Sequence, residues 1–115
     1  MTIERIKVGP RMSQAVIHGD TVYLAGQVAD DPNADVADQT RQILAKIDAL
    51  LAEAGTDKSK ALFANVWLSD ISTFDQMNEV WDEWVTPGKP PARACVESKL
   101  ARPQLKVEVM LVAAR

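Results

Sequence analysis

The chain has 115 residues, 47% of them hydrophobic, and a formal net charge of -3 from 13 Lys and Arg against 16 Asp and Glu. That size predicts a single domain over residues 1–115 whose core needs no covalent staple; a lone cysteine excludes an internal disulfide, and one Cys with one His cannot furnish a zinc ligand set. The acidic balance argues against sequence-independent nucleic-acid binding, and charges interrupt every apolar run, so neither a signal peptide nor a membrane span is expected and the chain reads as cytoplasmic.

From the N-terminus, Ile3–Val8, Gln14–His18 and Thr21–Val28 read as a three-stranded meander, broken at Gly9-Pro10 and turned tightly at Gly19-Asp20. A polar stretch from Ala29 to Ala34 ends it. Val36, Ile43, Leu44, Ile47, Leu50, Leu51 and Ala54 then recur on one helical stripe, with Asp35 placed to cap its start and Gly55 just past its last turn. Ala61–Ser69 predicts a strand with Leu62, Ala64, Val66 and Leu68 on one face and Phe63, Asn65 and Trp67 on the other. Thr73, with Gln76 three residues on, has the form of a capping box opening a second helix, whose stripe is Phe74, Met77, Trp81, Trp84 and Val85. Pro87-Gly88 closes it, and strands at Ala92–Glu97 and Leu105–Ala113 complete a βββαβαββ order without internal repeats.

In the last strand Leu105, Val107, Val109, Leu111 and Ala113 alternate onto one face and leave Lys106, Glu108, Met110 and Val112 on the other. Glu108 then stands among apolar neighbours, where an ionised carboxylate is costly unless paired, and Arg93 on a neighbouring strand is the expected compensating charge. Two helices cover one face of a mixed sheet of this size. The uncovered face is expected to carry Phe63, Trp67, Cys95, Met110 and Val112 beside Asn65, Arg93 and Glu108, more apolar surface than a stable monomer leaves wet. A homo-oligomer is therefore expected, with Arg93 and Glu108 at or near a subunit interface, where small-ligand clefts commonly form.

Over essentially its whole length the chain resembles the RidA (YjgF-type) reactive-intermediate deaminases. Gly9-Pro10, Leu24-Ala25-Gly26-Gln27-Val28, Asp57-Lys58-Ser59 and, above all, Pro91-Ala92-Arg93 to Glu97 with Lys106-Val107-Glu108-Val109 carry the resemblance. Within the family it is similar to the YoaB-like branch through Met1-Thr2-Ile3, Gln39-Thr40, Ile47-Asp48, Met77-Asn78, Trp81-Asp82 and Trp84-Val85. The resemblance implies an α+β, chorismate-mutase-like fold and a homotrimer with clefts between subunits. It also implies cofactor-free hydrolysis of small enamines or imines bearing a carboxylate, of the 2-aminoacrylate or 2-iminobutanoate type, to 2-keto acids and ammonia. By the same resemblance Arg93 grips the substrate carboxylate, Glu108 orients the attacking water, the backbone N-H of Cys95 faces the ligand, and Gly26 lines the pocket. The implied partner is a small imino or keto acid, with no nucleic acid and no membrane.

Two departures bear on the substrate. Arg11 stands where the family has a tyrosine that closes over the ligand, as either a cleft cation or one half of a surface salt bridge, and Ala25 replaces a pocket serine. Bland readings compete with several of these assignments. Arg93 and Glu108 form an interfacial ion pair if the trimer is purely structural. Cys95, with no His placed to activate it, reads as a buried structural thiol, and His18 as an ordinary edge histidine. Trp67, Trp81 and Trp84 read as core and interface, and Asn78 as a cap or bridge before a ligand contact. The competing functional class is a non-catalytic trimer that binds a small carboxylate and regulates a partner.

Overall fold

The computed structural model describes all 115 residues and contains one six-stranded sheet with two helices. In chain order the elements are β1 Ile3–Val8, β2 Ser13–His18, β3 Thr21–Leu24, α1 Val36–Glu53, β4 Ala61–Leu68, α2 Phe74–Trp84, β5 Ala92–Glu97 and β6 Val107–Ala114. The strands lie in the order β1-β2-β3-β6-β4-β5. All pairings are antiparallel except β4 with β5, which α2 joins as a crossover. No helix is long and apolar enough to cross a membrane.

Each end of α1 is fixed by its own side chains and backbone. Asp35 has extended geometry and accepts from the Asp38 N-H at 2.9 Å. At the exit Gly55 takes φ +84°, and the N-H groups of Gly55 and Thr56 donate to the Ala52 and Leu51 carbonyls at 3.1 and 2.9 Å, closing the helix with a Schellman motif. The stripe this exposes, Ile43, Leu44, Ile47 and Leu51, packs with Met77, Val80 and Trp81 of α2 against Val22, Leu24, Val66, Leu68, Val107, Val109 and Leu111. Each such side chain stabilises the fold by about 1.5–3 kcal/mol through burial. Both helices lie on this one face, and β6 alternates buried and half-buried from Val107 to Ala114, as its sequence predicts.

Four local expectations change. β3 pairs only to Leu24, not to Val28, although Gln27 forms an isolated bridge with Val109. Leu24 and Gln27 are both buried on the helix side although three steps apart, so Ala25-Gly26 breaks the alternation as a bulge. Leu62 is 51% exposed and not on the core face, because the β4–β6 register slips between Ala61 and Phe63. Thr73 makes no side-chain cap to α2; its hydroxyl donates to the Asp70 carbonyl, in a 3-10 turn over Ile71–Thr73 that Asp70 caps. Finally, β6 starts at Val107 and not at Leu105, though Leu105 is buried.

Two polar residues are buried inside the apolar stripe of α1, and one of them holds the approach to β6. Gln39, fully buried, donates to the carbonyls of Ala34 and Gln104 at 3.1 Å each and accepts from the Lys106 N-H at 2.9 Å. Thr40 returns its hydroxyl to the Val36 carbonyl at 2.7 Å. Gln39 thus ties the loop before β6 to the start of α1, and fixes where Glu108 begins its run.

Candidate functional site

The face of the sheet away from the helices carries a ladder of large side chains. Tyr23 pairs with Val112, Val112 with Phe63, Met110 with Asn65, Glu108 with Trp67, and Trp67 with Val96. Tyr23, Phe63 and Val96 are 47%, 37% and 51% exposed, so this is an open apolar face of the kind that marks an interface.

Glu108 stands on that face, half-buried and in no ion pair within the chain. Burial among apolar neighbours pushes its carboxyl above the ordinary 4.5. Its seat is made by what Gly26 lacks: a Cβ there would collide with the carboxylate oxygen and stand 3.0 Å from Cδ and 3.3 Å from Cγ of Glu108. The bulge at Ala25-Gly26 delivers this bare stretch of backbone to the carboxylate, and Gln27 then rejoins β6 through reciprocal hydrogen bonds with Val109 at 2.8 and 3.1 Å.

Arg93 is held by α2. Its Nη1 donates to Asn78 Oδ1 at 2.8 Å and lies 3.9 Å from Met77 Sδ, while the guanidinium sits 5.1 Å from the Trp81 ring centre and 5.8 Å from that of Phe74. No carboxylate pairs with it inside the chain. The result is a half-buried guanidinium with a fixed plane and donors to spare, suited to a bidentate grip on a planar anion.

The expected Arg93–Glu108 partnership within one chain is overturned. Arg93 pairs in register with Ala64, which faces the helices, whereas Glu108 pairs with Trp67 on the open face. β4 also stands between β5 and β6, so the two strands are about 10 Å apart. Cys95 follows Arg93 to the helix side by pairing with Val66, so neither belongs to the open face as expected. Phe63, Asn65, Trp67, Met110 and Val112 do lie there. The Cys95 thiol is pushed up by burial, with only partial relief from Arg93, and is a poor nucleophile. β5 is an edge strand, leaving one row of its backbone amides outside the ladder.

Arg11 is exposed on the β1–β2 connection, at the opposite sheet edge from Arg93, and makes no ion pair in the chain. Within one chain, then, Gly26 and Glu108 come together, Arg93 and Cys95 come together, and Arg11 joins neither pair. His18 is exposed at the hairpin end, and Trp81 and Trp84 are buried, their rings 5.3 Å apart with Trp84 Nε1 donating to Asp48 at 3.0 Å. No group of three or more His, Cys, Asp or Glu side chains is arranged to hold a metal ion. The sequence offers Asn78 as a cap or bridge before a ligand contact, and its hydrogen bond to Arg93 makes it a bridge; its position three residues before Trp81, beside the apolar stripe, is the signal that the two share one partner.

Residues 2–115 match the family model described as Endoribonuclease L-PSP. The RutC family protein YoaB of Escherichia coli K12 is 44% identical over 114 residues, covering 99% of both chains, and a RutC family protein of Haemophilus ducreyi is 45% identical over 112 residues, covering 97% of this chain and 96% of that one. Among solved structures, a YjgF-family protein from Neisseria meningitidis superposes with a TM-score of 0.97 at 43% identity, covering 100% of this chain and 96% of that chain. An uncharacterized protein from Pseudomonas aeruginosa gives 0.97 at 45% identity, covering 99% of each.

Proposed function

This chain belongs to the endoribonuclease L-PSP family, whose members here carry RutC and YjgF names, and on that premise we propose that it is a cytoplasmic imine hydrolase assembled as a chorismate-mutase-like homotrimer. The observation that carries this reading is the split: an unpaired, pre-positioned Arg93 on one face and an unpaired, acid-weakened Glu108 on the other. Within one chain the two cannot pair with each other, and on this reading each is half of a cleft between subunits. Copies that bury the open face against one another set the Glu108 and Gly26 of one subunit opposite the Arg93 and Cys95 of the next.

In that cleft Arg93 holds the substrate carboxylate and so fixes the adjacent C2. An enamine such as 2-aminoacrylate first takes a proton at C3 to become the iminium. Glu108, with its raised basicity, accepts a proton from water as the oxygen attacks C2, and returns it to the nitrogen as the C-N bond breaks. The balance is iminium plus water giving 2-keto acid plus ammonium, and the scheme asks for no cofactor. Arg11 joins neither pair within its own chain, so to act as a second cation it would have to reach the cleft from a neighbouring subunit. The family description includes ribonuclease, but a chain of net charge -3 whose one histidine is remote from Arg93 offers neither a phosphate track nor an imidazole pair.

The test is release of keto acid from 2-iminobutanoate generated in the cuvette by an amino-acid oxidase. Wild type should accelerate it and Arg93→Ala should lose at least about 100-fold while remaining assembled. Saturable keto-acid binding without turnover would instead assign a non-catalytic carboxylate-binding trimer.

A further inference from the structure

We propose that a second cavity, between α1 and the β1–β2 ribbon, binds a small free α-amino acid. This pocket of about 370 Å³ is lined by Lys7, Gln14, Gln27, Lys46, Ala49, Leu50 and Glu53. It lies on the helix side of the sheet, whereas Glu108 lies on the open face, and it contains neither Arg93 nor Cys95.

Its floor has two unused hydrogen-bonding groups. Gln27 is 6% exposed and spends its Nε2 on Gln14 Oε1 at 2.9 Å and on the Ala25 carbonyl at 3.0 Å, while its own Oε1 accepts from nothing in the chain. No sealed side-chain oxygen or nitrogen lacks a partner, so this Oε1 is open to solvent, and Gln27 lines the cavity. Gln14 Nε2 likewise donates to nothing in the chain. The lining thus offers an acceptor and a donor on two amides that a hydrogen bond holds together.

The walls repeat that polarity as charge. Lys7 and Glu53 face each other at 3.9 Å, the outer limit of an ion pair, with both side chains about half exposed and free to take other partners. Lys7 reaches this position through a left-handed backbone, φ +51°, the only such conformation at a non-glycine residue here. A regular strand would send its side chain to the face opposite Ile6; the kink turns it toward α1. Lys46 is already committed to the Val28 carbonyl and Asp30, at 2.7 Å each.

A dianion would be repelled by Glu53 and a simple amine by Lys7. An α-amino acid answers both, with its carboxylate toward Lys7 and Gln14 Nε2 and its ammonium toward Glu53 and Gln27 Oε1. Ala49 and Leu50 leave a short apolar wall that fits a small side chain.

The experiment is a proton–nitrogen NMR titration of the assembled protein with glycine, L-alanine and L-serine, following the side-chain amides of Gln14 and Gln27. Saturable shifts of those amides with at least one of the three are expected. Propionate, lacking the ammonium, and ethylamine, lacking the carboxylate, should each bind at least about tenfold more weakly than L-alanine, as should L-alanine to Lys7→Met and Gln14→Glu. The second variant keeps the acceptor for Gln27 and reverses only the free donor. If a variant loses its dispersed spectrum, the two truncated ligands decide on wild type alone. Absence of saturation with all three amino acids, equal binding of propionate or ethylamine, or shifts confined to Gly26 and Arg93 would overturn the proposal.

Discussion

Arg93 and Glu108 are both half-buried and free of ion pairs, yet the structure holds them by opposite means. The guanidinium is gripped by side chains, with Asn78 accepting its proton and the rings of Trp81 and Phe74 walling its plane. The carboxylate is seated by an absence, the missing Cβ of Gly26, and raised in pKa by apolar surroundings with no donor to compensate. A cation fixed in orientation is ready to bind a planar anion before any chemistry. A carboxylate left poorly solvated is readier to take a proton. On the proposed reading, the two faces of one sheet carry a binding half and a reacting half, each incomplete alone.

The largest effect should come from destroying the surface that joins the halves. Val112→Asp puts a charge in the middle of the open apolar ladder, beside Tyr23 and Phe63. It should give a folded monomer by ultracentrifugation with imine hydrolysis at background, because desolvating an unpaired carboxylate there costs several kcal/mol. An active monomer would place the whole site in one chain. Smaller, and confined to the reacting half, is Gly26→Ala. Its methyl must displace the Glu108 carboxylate, so turnover should fall about 100-fold while keto-acid binding, measured by calorimetry, stays within about threefold. Equal losses in both would mean that Gly26 serves the fold and not Glu108.

The smallest effect is on stability, and its sign follows from the raised pKa of Glu108. The native state holds the proton more tightly than the unfolded chain, so between the ordinary 4.5 and the raised value the native state binds more protons and stability falls as pH rises. Glu108→Gln removes that cost. Compared in the Val112→Asp monomer, where no neighbouring Arg93 faces the carboxylate, the variant should melt higher than its parent at pH 7, and the gap should close as pH falls below about 4. A gap that widens on acidification would show that Glu108 is stabilised as the anion.

Much of this was legible in the sequence because its periodicities are strong. The stripe of α1, its Asp35 and Gly55 ends, the Gly19-Asp20 hairpin and the alternation of β6 all emerge as read. The misplaced site residues share one cause, since period-2 alternation says which residues of a strand share a face but not which face meets the helices. β5 is an edge strand of small and polar residues, so only its register with Ala64 and Val66 decides that Arg93 and Cys95 turn inward. The bulges at Ala25-Gly26 and Leu62 likewise depend on pairing with β6, which no local signal specifies. Gln39 and Asn78 could have been found as polar residues set in or beside apolar stripes, where a buried amide must have partners.

The composite site is tested most directly by mixing two dead halves. Arg93→Ala and Glu108→Gln, each inactive alone, should be co-expressed at equal levels so that they assemble together. If Arg93 of one subunit serves Glu108 of the next, random assembly restores intact clefts at about one quarter of the wild-type number, and imine hydrolysis should return to about that level. Activity that stays at the background of the separate variants, in oligomers shown to be mixed, would contradict a site shared between subunits.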